Sequence, residues 1–244
     1  MAPSFSPAVD LPCVVLAGGL GSRMLPQTEK LPKMLLSVAG EPFAAHQLRW
    51  LAAQGVRRVV LAIGHLGGMI EDYVSDGSTF ALDVSYSRDG DRHLGTGGAL
   101  RNAVTEHDLH GPVLTLYGDS YVTLDVREVV RSYERVGLPA LMVVYRNDDR
   151  LEPSNASFDG RLVRYNKRRL ASDVTYDCID DGLSIIHAEM IRRLPADSPV
   201  DLADEQSAWS REGQLAGHEA QDRYYEIGSP NGLAELDRHL RSSG

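Results

Sequence analysis

Only two cysteines occur in the 244 residues, Cys13 and Cys178, and neither sits in a CxxC or other metal-ligand spacing. Both thiols are therefore expected to be reduced and structural. Long apolar runs are missing as well: none approaches the roughly 20 residues that a membrane-spanning helix needs, so no membrane partner is expected. The opening MAPSFSPAVDLP lacks the basic n-region and continuous apolar h-region of a secretion signal. It reads as a disordered lead-in over residues 1–11, and the cytoplasm is the expected compartment. A basic surplus is also absent. The formal charge of -9 argues against general nucleic-acid binding, so any anion site must be local. The eight histidines are scattered; the nearest pair, His107 and His110 in EHDLHGP, has no third ligand nearby and carries no expected metal role.

With 43% hydrophobic and 24% charged residues the composition is that of an ordinary globular protein, long enough for one large α/β domain. Short β-branched runs alternate with amphipathic helical segments over the first 145 residues, the pattern of parallel strands with crossover helices. The strand candidates are 13–17, 58–64, 82–87, 112–118 and 140–145. Helical stretches end in Gly55 and Gly137, as C-capped helices do. VVLAIG and VLTLYG are nearly continuous apolar, which suits central strands covered on both faces. A three-layer α/β/α sandwich with a Rossmann-like, mostly parallel mixed sheet is the expected fold.

The later residues change character. SNASFDGRLVRYNK carries an Asp-Gly turn between two short strand-like runs, and CIDDGLSIIH follows as another strand. Helical segments near 188–194 and 201–213 come next, then a short strand in RYYEIGSP. A closing helix over 229–244 begins with Ser229 as N-cap and Pro230 in its first turn. No repeat or low-complexity linker divides the chain, so 12–244 reads as one domain whose β-rich second part extends the first. Asp125 is expected to cap the helix that follows it, and Tyr117 and Tyr121 to pack.

The chemistry concentrates in LAGGLGSRMLPQTEKLPK, residues 16–33. Glycines 18, 19 and 21 directly behind a strand allow backbone N–H groups to converge on an anion. A Walker A loop needs GK[ST], but Ser22 and Arg23 follow Gly21; the dinucleotide GxGxxG fails because Met24 replaces the third glycine. What remains is a glycine loop followed by Arg23 and Lys33, charges that suit a triphosphate. Asp119 in YGDS ends the apolar run PVLTLYG, where open α/β sheets bind ligands, and a carboxylate there can hold Mg²⁺. LGTGGALRNA, residues 94–103, is a third glycine-rich helix opening with backbone donors free for a base or phosphate.

These residues resemble the sugar-1-phosphate nucleotidylyltransferases. The family signature G-G-x-G-[ST]-R-x(2)-P-x-T-x(3)-P-K is matched by Gly18, Gly19, Gly21, Ser22, Arg23, Pro26, Thr28, Pro32 and Lys33, and the likeness continues to about residue 240. LGTGGALRNA together with GDSY looks most like the branch containing D-glycero-α-D-manno-heptose 1-phosphate guanylyltransferases. The resemblance implies that residues 12–145 mainly bind nucleotide and 146–228 mainly sugar phosphate. Leu16, Ala17, Gly18, Gly19, Gly21, Ser22, Arg23, Gly95, Thr96 and Gly97 would then surround the nucleotide. Arg23, Lys33 and Asp119 would be catalytic. Asn155, Lys167, Asp180 and Gly182 would meet the sugar phosphate.

Mg²⁺ would be held by Asp119 and by Glu226, which stands in YYEIGSP where the family usually has an aspartate. Asn166 replaces the acidic residue that usually precedes the family lysine, and Met34 the usual proline after the signature lysine. The implied partners are a nucleoside triphosphate, GTP favoured, and a sugar 1-phosphate, heptose 1-phosphate favoured; a homodimer is compatible with the resemblance. Open alternatives are UTP or CTP as donor, a hexose or cyclitol phosphate as acceptor, and a catalytically silent binding module that keeps the pocket.

Overall fold

In a computed structural model, which describes residues 9–90, 93–168 and 175–243, the run CVVLA becomes β1 (Cys13–Ala17). Cys13 and Val15 face one side of the sheet, Val14 and Leu16 the other, and all four are buried. A strand apolar on both faces needs a helix layer on each. A ribbon of β2 (Ser37–Val38) and β3 (Glu41–Pro42) leads into α1 (Phe43–Ala53). Then come β4 (Arg58–Ile63), α2 (Gly67–Val74), β5 (Asp83–Arg88), α3 (Gly95–Glu106) and β6 (Pro112–Tyr117). These strands lie parallel in the order β5-β4-β1-β6.

The second half mixes directions. β7 (Ser120–Tyr121), α4 (Val126–Val136) and β8 (Ala140–Arg146) precede a hairpin of β9 (Ala156–Phe158) and β10 (Val163–Tyr165), with Asp159 and Gly160 in its turn. They are followed by β11 (Cys178–His187), α5 (Ala188–Arg192), α6 (Leu202–Arg211), β12 (Leu215–Ala220), β13 (Tyr225–Glu226) and α7 (Pro230–Ser243). Because β11 is antiparallel to β6 and β8, and β12 parallel to β8, the main sheet runs β5-β4-β1-β6-β11-β8-β12. Leu48, Ile70 and Val129 from α1, α2 and α4 cover one face, and Leu100, Ile191 and Trp209 from α3, α5 and α6 the other. The three-layer sandwich read from the sequence is the fold that forms.

β11 forks. Its residues Leu183–His187 pair with β6, whereas Cys178 pairs with Ala156 of the hairpin. The break falls at Gly182, φ 92°, where the register against β8 also shifts. A Cβ there would lie 2.4 Å from Ser120 Oγ, so both the positive φ and the contact require glycine.

Several details depart from the sequence reading. Residues 1–8 of the expected lead-in lie outside the described residues, and residues 9–11 are not loose: Val9 is buried, donates its N–H to Gly55 O at 3.1 Å, and shares a cluster with Leu11. The strand in RYYEIGSP is only β13, paired with β7 in a ribbon apart from the main sheet. β12 was not read at all, since LAGHEA has no β-branched residue; its place is set by β8 and by Phe158, whose ring would lie 2.4 Å from a Cβ at Gly217. The caps are as expected: Asp125 Oδ1 accepts from Arg127 N at 2.9 Å, and Ser229 Oγ from Gly232 N at 3.1 Å. Both cysteines are buried and unbridged, and burial pushes the Cys13 thiol up to about 12. Among the described residues no helix is long and apolar enough to cross a membrane.

Candidate active site

Three loops meet at the carboxyl ends of β1, β5 and β6. The first is shaped by Gly21, φ 65°, whose carbonyl accepts from Thr28 Oγ1 and Met24 N, both at 2.8 Å. A Cβ on Gly21 would come within 2.9 Å of the Thr28 methyl. Behind this turn a cavity of about 660 Å³ is lined by Leu16, Ala17, Gly18, Gly19, Lys33, Asp89, Gly95, Thr96, Tyr117 and Asp119. A second cavity, of about 1280 Å³, is lined by Arg23, Glu152, Asn155, Lys167, Asp180, Gly182, Asp201 and Glu226. Thr96, Tyr117 and Asp119 belong to both walls.

At the seam Lys33 Nζ lies 2.7 Å from Asp119 Oδ2, both side chains partly buried. The Asp119 carbonyl accepts from Ile227 N at 2.9 Å, and pairing of β7 with β13 sets Glu226 opposite Ser120. Asp119 and Glu226 therefore stand side by side. Burial holds the Glu226 carboxyl above its ordinary range, the neighbouring Glu152 and Asp119 charges add to this, and Arg23 and Lys33 oppose it. Arg23 reaches the same point: a Cβ on Gly228 would lie 3.1 Å from its Nη2 and 3.2 Å from Glu226 Oε1.

In the second cavity burial pushes the Asp180 carboxyl up to about 6, although it accepts from Gly182 N at 3.0 Å and feels the Lys167 charge. Asn155 Oδ1 accepts from Asp180 N at 3.1 Å and so fixes the start of β11. Lys167 Nζ donates to Asp201 Oδ2 at 2.7 Å. Asp201 also caps α6 through Ala203 N at 3.0 Å and accepts from the Thr96 hydroxyl at 3.3 Å. Burial raises its carboxyl, but the hydrogen bonds from Lys167 and Ala203 N outweigh it and leave the group below the ordinary value. One carboxylate thus joins both cavities.

The two cavities bring together most of the residues singled out in the sequence, with exceptions. Arg23 lines the second cavity instead of facing the first, because the short helical turn after Gly21 carries it toward Glu226. Gly21 and Ser22 line neither. The N–H of Gly97 is not a free donor: it donates to Val200 O at 2.8 Å, and a Cβ there would lie 2.7 Å from Val200 Cγ1, so Gly97 packs against the segment before α6. Asp89, Glu152 and Asp201 were missed. Asp89 directly follows β5 as Asp119 closely follows β6, and Asp201 precedes a helical pattern as an N-cap does; both signals were in the sequence. Glu152 carried none. His107 Nε2 lies 3.0 Å from Tyr86 O and His110 pairs with Asp108, while no group of three or more His, Cys, Asp or Glu among the described residues could hold a metal.

A parallel sheet whose carboxyl ends carry a glycine loop, a lysine and a carboxylate beside a two-part cleft gathers backbone and charged groups where strand ends of open α/β sheets meet ligands. Residues 13–199 match the model of the MobA-like NTP transferase domain, and the chain belongs to that family. It is 27% identical over 223 residues to the N-acetylmuramate alpha-1-phosphate uridylyltransferase of Neisseria meningitidis, covering 91% of this chain and 95% of the relative. It is 29% identical over 203 residues to the mannose-1-phosphate guanylyltransferase of Mycobacterium tuberculosis, covering 79% of this chain and 53% of the relative. The chain spans about half the length of this and another of the curated relatives it matches. Among solved structures, HddC from Yersinia pseudotuberculosis complexed with GMP-PN superposes with a TM-score of 0.77 at 21% identity, over 94% of this chain and 99% of that one.

Proposed function

We propose that the protein is a sugar-1-phosphate nucleotidylyltransferase. A phosphate oxygen of the sugar 1-phosphate forms a bond to the α-phosphorus of a nucleoside triphosphate, the bond from that phosphorus to the β-phosphate oxygen breaks, and pyrophosphate leaves. The observation that carries this reading is the pair of cavities sharing Thr96, Tyr117 and Asp119, with Lys33 at the seam. The nucleotide occupies the first and the acceptor the second, so the two reacting phosphates meet between them. Catalysis is then positioning of two polyanions plus neutralisation of developing charge. Lys33 exchanges Asp119 for phosphate oxygens, Arg23 approaches from the Glu226 side, and Lys167 exchanges Asp201 for the acceptor phosphate. Asp180 and Asn155 accept from and orient acceptor hydroxyls.

The donor set fits Mg²⁺: Asp119 and Glu226 offer two adjacent hard oxygen ligands, and Mg²⁺ takes one or two carboxylates plus phosphate oxygens and waters. Bound there, the ion supplies Lewis-acid polarisation of the phosphate under attack. The crowding of Glu226 by Glu152 and Asp119 is the electrostatic environment that a cation relieves.

The names of the relatives divide between uridylyl and guanylyl transfer. We favour GTP with heptose 1-phosphate, on the resemblance of LGTGGALRNA and GDSY to the heptose branch and on the guanine nucleotide bound by HddC. Lined by Asp119, Glu152, Asp180, Asp201 and Glu226 against Arg23 and Lys167, the acceptor cavity favours a polyhydroxy acceptor without a carboxylate of its own. The test is a matrix of GTP, UTP, CTP and ATP against mannose, glucose and heptose 1-phosphates with Mg²⁺, read by pyrophosphate release. Signal with GTP and heptose 1-phosphate is expected. Signal only with UTP or CTP would overturn the guanylyl choice, and no signal in any well would overturn the transfer reaction.

A further inference from the structure

The first cavity has a charged group that the transfer chemistry leaves unused. Asp89 is the residue after β5, and its N–H donates to Ile63 O at 3.1 Å. Its carboxylate is pressed against the backbone of the glycine loops: a Cβ on Gly18 would lie 3.2 Å from Oδ2, and one on Gly64 3.3 Å. Among the described residues nothing donates a hydrogen bond to this carboxylate and no cation pairs with it; His93, on the same cavity wall, is the charge nearest in effect. A half-buried carboxylate aimed into a cavity with no partner is costly unless a ligand completes it.

The sheet register says which part of a nucleotide that is. β5, β4, β1 and β6 pair with Arg88 opposite Ile63, Ile63 opposite Ala17 and Leu16 opposite Tyr117, so Asp89, Gly64, Gly18 and the Gly118–Asp119 turn stand at about one level across four strands. Three strand spacings separate Asp89 from Asp119, roughly 14 Å between backbones. With the phosphates at Lys33 and Asp119, the base falls at the Asp89 end, between the apolar walls Leu16, Ala17 and Ala99.

The geometry points to Asp89 as the residue that reads the base, and to guanine as the base it accepts; this rests on the nucleotidyl-transfer reading above. An ionised carboxylate is acceptor-only. Guanine alone offers it two adjacent donors, N1–H and the N2 amino group. Uracil and thymine flank N3–H with carbonyl oxygens that repel the carboxylate, and cytosine and adenine set one amino donor beside a ring-nitrogen acceptor.

The test measures binding, so it needs no acceptor. Wild-type protein with Mg²⁺ is titrated calorimetrically with GTP, UTP and ITP, which keeps N1–H but lacks the N2 amino group. GTP should bind about 5- to 150-fold tighter than UTP, and about tenfold tighter than ITP. Asp89→Asn exchanges one acceptor for a donor, an edge that suits uracil. In that variant the GTP-to-ITP preference should vanish and the GTP-to-UTP ratio should fall to unity or invert, whereas a merely structural Asp89 would weaken all three ligands alike. Wild-type binding of UTP or ITP as tight as GTP, or unchanged ratios in Asp89→Asn, would overturn the assignment while leaving nucleotidyl transfer standing. Binding of none of the three would overturn both. The wild-type titrations can overturn the guanine assignment even if the variant does not fold.

Discussion

The two cavities are built by opposite means. The side proposed for the nucleotide hangs from four parallel strands, and its wall is mostly backbone and small or apolar side chains: Ala17, Gly18, Gly19, Gly95 and Ala99. The side proposed for the acceptor hangs from a forked antiparallel strand and a hairpin, and its wall is charged side chains that satisfy one another, Lys167 with Asp201 and Arg23 beside Glu226. Backbone recognition is rigid and indifferent to side-chain substitution, so on that wall sensitivity to single residues is left to the few charged ones, among them Asp89 and Lys33. Side-chain recognition is paid for in buried charge and changes with single residues.

The largest expected effect lies where the sides touch. Lys33→Ala removes the cation paired with Asp119, which lines both, and should lower turnover on the order of a hundredfold to a thousandfold, roughly 3 to 4 kcal/mol, with an unchanged circular dichroism spectrum. A variant with near-normal pyrophosphate release would separate the seam from the chemistry. Next, Asp180→Asn should stabilise the acceptor side while impairing it. The carboxyl is raised from 3.8 to about 6, so the folded state holds its proton more tightly than the unfolded one. The cost of ionising it is absent below about pH 4, grows toward pH 6 and is constant above. The asparagine variant should therefore exceed wild type by roughly 3 kcal/mol in urea unfolding at pH 7.5 and match it near pH 4; the same difference at both pH values would refute the buried-charge account. Its acceptor KM should rise.

Lys167→Met should raise the acceptor KM by about tenfold and leave the nucleotide Kd alone, since the lysine lines only the second cavity. A matching loss of nucleotide affinity would erase the division between the sides. Smallest is Asp201→Ala, which removes the α6 cap and should cost about 1 kcal/mol of stability in thermal unfolding. Because Asp201 also accepts from Thr96, this variant should perturb both substrates slightly, where Lys167→Met perturbs one.

Legibility in the sequence divides along the same line. The parallel half announced itself, because Cys13–Ala17 and Arg58–Ile63 are apolar on both faces and a glycine loop follows the first. Asp119 and Lys33 followed from their places behind a strand and a signature. On the acceptor side, β12 carries Gly217 and Ala220 where a strand would favour branched residues, and only its neighbours make it a strand. Asp201 meets Lys167 across 34 positions and Thr96 across 105, and no local pattern reports such pairings. Gly97 was misread for a related reason: a glycine-rich helix opening looks the same whether its donors face a ligand or Val200. Asp89 escaped because its neighbours in LDVSYSRDG gave no motif, only a position.

The fork in β11 has one more consequence. Upstream of Gly182 the strand pairs with the hairpin at one position, Cys178 with Ala156, and the hairpin is otherwise held by a bridge from Leu162 to Ala216, by Gly217 N donating to Arg161 O, and by hydrogen bonds of Arg164 and Tyr165 to Ser210 of α6. Downstream, five consecutive residues are committed to β6. A hairpin grafted between residues 156 and 165 would therefore alter the acceptor wall without touching one hydrogen bond of the nucleotide half, which makes this joint the natural place to exchange one acceptor for another while keeping the donor.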